Sequence, residues 1–480
     1  MKKYIFFFIS LVLIGFIYAQ TAETPNGNGS AFNPYQIANL NQLFWFERHP
    51  ESWDKHFIQT ADIEASDTQN WNDEGTSDDI KEGWLSIGNY TTPFTGYYNG
   101  QNFIISNLFV NRSTRDCIGF FGYLHTAVIN NIRLQQVNMT GHYGVGALSG
   151  HARYNSQVIN CNVSGTVRGI RYTGGLFGNA YNTNINSSYS LVQVYSESDF
   201  GGLIGDGNSS NTISNCFYNF DIALINNQPK IFHGALTNDL FNAWLNNNLC
   251  LDINDYYTLD NSGRYLINDT DGFKHLLYFG KSDQNFILTS DLNLSSLSNL
   301  YLYEFKGIFD GNNHTISHFV INDTLAFYVG LFGKLKDSEI KNLTLTDCSI
   351  TGKHYIGGIS ASAENSSIKN CQVNLSINGM RDVGGIIGVS DSTQVENCSV
   401  SGSVNSLEYY GGGIIGKIEE FSTIFQCANS AAVSGRLYIG GIVGFANMVS
   451  IKYCTNTGNN TALDFNSSIG GIAGSVSGEI

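Results

Sequence analysis

The stretch YIGGIVG at 438–444 decides the fold, because it is one of ten. Its glycine–apolar–glycine pattern also ends at Gly122 (IGFFG), Gly150 (GALSG), Gly178 (GGLFG) and Gly205 (GGLIG). After a break it ends at Gly333 (VGLFG), Ala361 (GGISA), Gly388, Gly416 and Gly474. The spacings are 28, 28 and 27 residues in the first series, then 28, 27, 28, 28 and 30 with Gly444 included. Runs such as VINCNVSGTV (158–167), SIKNCQVNLSI (367–377) and QVENCSVSGSV (394–404) follow the glycines. They are β-branched and broken by Asn, Ser and Gly, the vocabulary of short strands and tight turns. No apolar period of 3.6 residues runs long enough for a helix within the repeats. Three short strands and three turns use about 28 residues, one coil of a parallel β-helix, and stacking at ~4.8 Å would set like residues in ladders. A β-propeller needs blades of ~40 residues or more. The expected fold is all-β, a parallel β-helix solenoid.

A larger duplication overlies this period. FTGYYNGQNFIISN (94–107) matches FKGIFDGNNHTISH (305–318), and the offset of 211 holds from Gly96/Gly307 to Gly205/Gly416. PYQIANL (34–40) and HFIQTADI (56–63) resemble RYLINDT (264–270) and NFILTSDL (285–292). LNQLFWF (40–46) and FKHLLYF (273–279) have the apolar spacing of short helices, suited to covering a solenoid end. Two tandem modules are expected, 24–220 and 263–480, each with an N-terminal helix and strand cap. Between them, 221–262 carries TNDLFNAWLNN, a short helix with Leu240, Ala243, Trp244 and Leu245 on one side. The last coil reads as incomplete at Ile480.

Composition narrows the function. The net charge is −15 and charged residues are 14% of the chain, which argues against disorder and, with only 25 Lys and Arg, against a nucleic-acid partner. The 52 glycines with 5 prolines fit a turn-rich β protein and exclude collagen. Residues 1–20, MKKYIFFFISLVLIGFIYAQ, have the basic start, apolar core and small-residue end of a signal peptide. The apolar run falls short of the ~20 residues that span a bilayer, so no membrane insertion is expected after its removal.

YTGGLFG (172–178), VGGIIG (383–388) and YIGGIVG resemble the GLUG repeat, and the leader at 30–63 resembles leaders of large GLUG proteins from Bacteroidetes-like bacteria. The resemblance covers most of 30–220 and 263–480. It implies an exported bacterial, adhesin-like protein, secreted or on the outer surface, and supplies no catalytic residue. GALSG and GGISA depart from the pattern at Ser149, Ser360 and Ala361, where looser coils are expected.

Several side-chain sets are of types that carry chemistry. Cys161, Cys216, Cys371, Cys398, Cys427 and Cys454 share one phase, with Ser188 in the coil between the first two. Disulfides and metal binding are the functional alternatives. The spacing lacks short metal-binding pairs, and a buried ladder of small side chains is the preferred reading. His314 and His318 lie in a strand-like segment, about 13 Å apart, too far for one ion. The positions after the anchors hold Tyr123, His151, Asn179, Asp206, Lys334, Ser362, Val389, Lys417, Phe445 and Ser475. Asp206 is the only acid there, so no acidic column of the kind used by polysaccharide-cleaving β-helices emerges. The 64–83 loop is acidic, with Asp73, Glu74, Asp78 and Asp79 as weak calcium candidates and Trp71 and Trp84 as aids to ligand contact, but it lacks the D-x-D-x-D-G spacing and an ordinary solvated acidic loop is the preferred reading. No other cofactor is expected.

Six residues before the anchor stand Tyr172, Phe327, Tyr355, Tyr410 and Tyr438. Strand alternation would turn them outward as a ladder able to stack on sugars or on a protein's apolar patch. A glycine corner that upsets the alternation would instead fold them into the core. The function expected is a non-catalytic secreted or surface protein whose β-helical face binds a protein or glycan. The alternatives are a polysaccharide-active β-helix enzyme, lyase or hydrolase, and a passive stalk.

Overall fold

The computed structural model describes residues 21–71, 81–207, 210–464 and 467–477. The signal segment at 1–20 and the calcium candidates Asp73, Glu74, Asp78 and Asp79 lie outside the described residues. Every ladder between the described strands is parallel, as in a solenoid whose chain returns to the same wall once per coil. One wall of the first solenoid runs through Val128–Asn130, Ser156–Ile159, Thr183–Asn186 and Thr212–Ser214. A second contains Arg133–Thr140, Asn162–Arg168 and Tyr189–Tyr195, and a third Phe121–His125, Ser149–Arg153, Phe177–Ala180 and Ile204–Gly207. The second solenoid repeats these walls with sheets of eight, thirteen and seven strands. Pairing joins residues one coil apart, such as Ile368↔Val395↔Ile424. These apolar positions are fully enclosed, each contributing roughly 1.5–3 kcal/mol through burial.

Helix α1 (Leu40–Arg48) covers the first solenoid's start, α2 (Asn238–Asn246) its far end, and α3 (Thr270–Phe279) the start of the second. The duplicated leader gives duplicated caps: Asn39 accepts from the Gln42 N–H, and Asp269 from the Gly272 N–H. Helix α2 buries Leu240, Phe241 and Trp244, and the Trp244 indole donates to Asn215 Oδ1 at 2.9 Å. The strand Ala235–Leu236 extends the second wall of the first solenoid beyond residue 220. Among the described residues no strand ladder joins the two solenoids, yet one apolar core runs through both and through the segment between them.

Ser149 and Ser360 do not loosen their coils. Both are fully buried in unbroken register, and each hydroxyl donates to a carbonyl two residues on, His151 at 2.8 Å and Ser362 at 2.7 Å. Trp71 and Trp84 are not ligand contacts: both are buried, and the Trp84 ring lies parallel to Phe120 with centroids 5.5 Å apart.

The cysteine column is a buried ladder, with Cys454 at its end half-exposed. Cys398 Sγ lies 3.2 Å from the Glu396 carbonyl, and in the Ser188 coil the hydroxyl donates to Asn186 O at 2.9 Å. Cys398→Ser therefore has a partner for its hydroxyl and is expected to cost no more than about 1 kcal/mol in denaturant unfolding. Thiol reagents should leave Cys398 and Cys427 unmodified until the protein unfolds; ready modification in the native state would show the column to be open.

Candidate functional site

Left-handed residues recur at three places in the coils: one follows the anchor by four or five residues, as at Thr126, Asn182, Asn365 and Ser392, and the other two differ in kind. At one corner stand Asn131, Asn160, Asn342, Asn370 and Asn397, with φ between 51° and 56°. Asparagine visits this region readily, and its amides bond from coil to coil: Asn160 to Asn131 at 2.7 Å, Asn397 to Asn370 at 2.8 Å. The other corner precedes the glycine motif. It holds Cys117, Gly144, Tyr172 and Asp199 in the first solenoid, and Tyr328, Tyr355, Asp382, Tyr410 and Tyr438 in the second, all with φ between 49° and 68°. Left-handed geometry costs a bulky L-residue roughly 1–2 kcal/mol, so five tyrosines there are unusual.

The anchor glycines explain why the corner fits. A methyl on Gly416 would stand 2.6 Å from Val383 N and 2.7 Å from Asp382 C, and one on Gly474 would stand 2.5 Å from Tyr438 C. At Gly150, Gly178, Gly205, Gly416, Gly444 and Gly474 the space left by the missing side chain is taken up by backbone at the left-handed corner of a neighbouring coil. This corner also settles the direction of the tyrosines. The residues after three of them, Val329, Ile356 and Ile439, are fully buried, while Tyr172, Tyr328, Tyr355, Tyr410 and Tyr438 remain half-exposed and outside the core. Alternation is broken by the left-handed residue, but the rings face outward.

Phe327 is not a member of the column. VGLFG has one glycine fewer than its siblings, so the pairing runs Phe327↔His354 and Val329↔Ile356, which sets Tyr328 opposite Tyr355. The rings form two stacks. Tyr328 and Tyr355 have centroids 4.7 Å apart and planes 15° apart; Tyr410 and Tyr438 are at 5.4 Å and 20°. Tyr172, in the other solenoid, lies under the Arg171 guanidinium at 4.3 Å. Alongside runs the column that follows the anchors, with Lys334 4.2 Å from the Tyr328 centroid and Phe445 5.3 Å from that of Tyr410.

Asp382 sits between the two stacks, 5% exposed, and its Oδ1 has no hydrogen-bond partner. Burial pushes its carboxyl up to about 6, against the pull of Lys417 and Arg381. A carboxyl raised in the folded state stabilises the fold below its unfolded value, near 4, and loses that contribution as pH rises through 6. Asp382→Asn should therefore gain on the parent between pH 5 and pH 8, by about 1–3 kcal/mol, when urea unfolding is compared at the two values. Parallel pH profiles would show the carboxyl to be hydrated.

The equivalent place in the first solenoid brings together Cys117, His151 and Tyr90, whose hydroxyl is 3.3 Å from His151 Nε2. A methyl on Gly144 would stand 2.3 Å from that nitrogen, so the glycine makes room for the ring. Burial pushes the Cys117 thiol up to about 11 and the His151 imidazole down to about 4. At neutral pH the pair is a thiol and a neutral ring, not the thiolate and imidazolium of a cysteine nucleophile. His314 is engaged with Asp291 at 3.2 Å, and among the described residues no three His, Cys, Asp or Glu side chains converge as metal ligands.

Comparison with known proteins places this geometry. The GLUG motif matches at 141–168 and at 381–405, one match in each solenoid. Halomucin of Haloquadratum walsbyi is 36% identical over 167 residues, 34% of this chain and 2% of that protein. The immunoglobulin A1 protease of Streptococcus sanguinis is 32% identical over 124 residues, 25% of this chain and 6% of the protease. The chain thus spans a small fraction of these relatives' lengths. A solved structure of a candidate immunoglobulin A1 protease from Bacteroides ovatus aligns over 44% of this chain and 71% of its own, at 24% identity and a TM-score of 0.40. No helix among the described residues is long and apolar enough to cross a membrane.

Proposed function

We propose that this GLUG-motif solenoid is a non-catalytic protein of the bacterial exterior, secreted or held at the surface, that binds a glycan or protein through its tyrosine corner. The observation that carries the reading is the pair of outward tyrosine stacks at left-handed positions. Asparagine, aspartate or glycine would fill those positions with less strain, as Asp382, Asp199 and Gly144 do in sibling coils. Strain kept where folding does not need it points to a role outside folding. Half-exposed tyrosines offer rigid flat faces and a hydroxyl, the side chain favoured where proteins meet ligands.

The test is the triple change Tyr355→Asn, Tyr410→Asn and Tyr438→Asn, assayed with the parent on a glycan and host-protein array. Asparagine keeps the left-handed corner, so the melting temperature should stay within a few degrees while binding is lost. Retained binding would remove the corner from the interface; a large fall in melting temperature would make these tyrosines structural.

A further inference from the structure

Where the first solenoid ends and the second begins, the same face opens into a cleft of about 950 Å³, within the range of ligand sites. One wall carries Asp199 and Asp206 and the other Lys334 and Lys353, with Phe327 and Tyr328 beside the lysines. The acids are already committed. Asp199 is bonded to Arg171 at 2.5 Å, and Asp206 to the Tyr181 hydroxyl and to Asn179 at 3.2 Å. Glu304, also in the cleft, is held by His233 at 3.4 Å and Lys281 at 3.7 Å, which keep its carboxyl well ionised, near 2. The two lysines have no carboxylate within bridging distance among the described residues. Lys334 lies over Tyr328 and over Tyr303 at 5.2 Å, and Lys353 over Phe327 at 5.3 Å.

Glu304, the residue paired with Lys334 on the next strand, is already held by His233 and Lys281, so two ammonium groups rest on aromatic faces with no ion pair of their own among the described residues, in a chain whose net charge is −15. They fit a ligand that presents an anion and a flat apolar ring face together. We propose that the cleft binds an acidic saccharide, its carboxylate or sulfate on Lys334 and Lys353 and a sugar face on Tyr328 or Phe327. A ring is too weak a partner to hold an ammonium against a well-placed anion, so the lysines are free to exchange. Glu197, on the opposite wall, would accept from sugar hydroxyls.

The inference rests on the binding role proposed above and names its ligand class. Calorimetric titration of the full chain tests it with a galacturonate oligomer, a heparin oligomer and a neutral cello-oligomer. Binding of either acidic probe, weakened by salt and at least tenfold by Lys334→Gln with Lys353→Gln, supports it and identifies the acid group. The Tyr410→Asn with Tyr438→Asn variant, altered away from the cleft, shows whether failure extends to the wider role. If binding depends on those tyrosines but not on the lysines, the cleft assignment falls and the binding face stands. Equal binding of the neutral oligomer, or no saccharide binding with a protein captured on the array instead, overturns it. Unchanged melting temperature of the lysine variant excludes loss by misfolding.

Discussion

Gly416→Ala is expected to destabilise the second solenoid by about 3 kcal/mol, the upper end of what a single inserted methyl costs a packed core. The reason is that the added carbon meets only backbone: Val383 N at 2.6 Å, Asp382 C and Gly388 O at 2.7 Å. No rotamer change can relieve it, so the coils must part where the tyrosine corner is formed. Gly471→Ala is the control, because nothing lies within 4 Å of a methyl there. It should change stability by no more than about 0.5 kcal/mol. Urea unfolding of both variants checks the pair, and a mild Gly416→Ala would show that the glycine repeat does not hold the corner.

A loss of about 3–5 kcal/mol is expected from Trp244→Ala. The indole is fully buried between Phe217 and Phe241, at centroid distances of 5.1 and 5.7 Å, and its removal also leaves Asn215 Oδ1 without its donor. Because α2 covers the end of the first solenoid, the damage should be local. Limited proteolysis should cut the variant between 221 and 262 well before either solenoid. Uniform digestion, or a variant as resistant as the parent, would deny α2 the role of a cover.

The coil length, the β-helix and the cap helices are legible in the sequence because each rests on a repeated signal. Ten anchors, nine of them glycine, fix the period, and PYQIANL and RYLINDT place Asn39 and Asp269 as helix caps by their likeness to each other. The cysteine column follows from phase alone. The candidate site was only half legible. Counting back six from each anchor finds Tyr172, Tyr355, Tyr410 and Tyr438, but it lands on Phe327 because VGLFG has lost a glycine. Aligning Val329 with Ile356 would have found Tyr328. The left-handed geometry had no signal in the composition, since tyrosine is a strand former and gives no hint of a corner. Asp382 occupies the tyrosine position of its own coil, so it was visible in the alignment of repeats; its burial depends on the neighbouring coils and was not. Trp71 and Trp84 suggest ligand contact as an alternative only because they flank an acidic loop, yet their area is large enough that the core claims them.

The binding face exists only if the left-handed corner carries the tyrosines out of the core. Tyrosine-directed iodination of the native protein, read by peptide mass spectrometry, tests it without any ligand. Tyr355, Tyr410 and Tyr438 should be modified in the folded state, while Tyr98 and Tyr218, fully buried, should react only after unfolding. Protection of the three corner tyrosines to the level of Tyr98 would place them in the core and contradict the account.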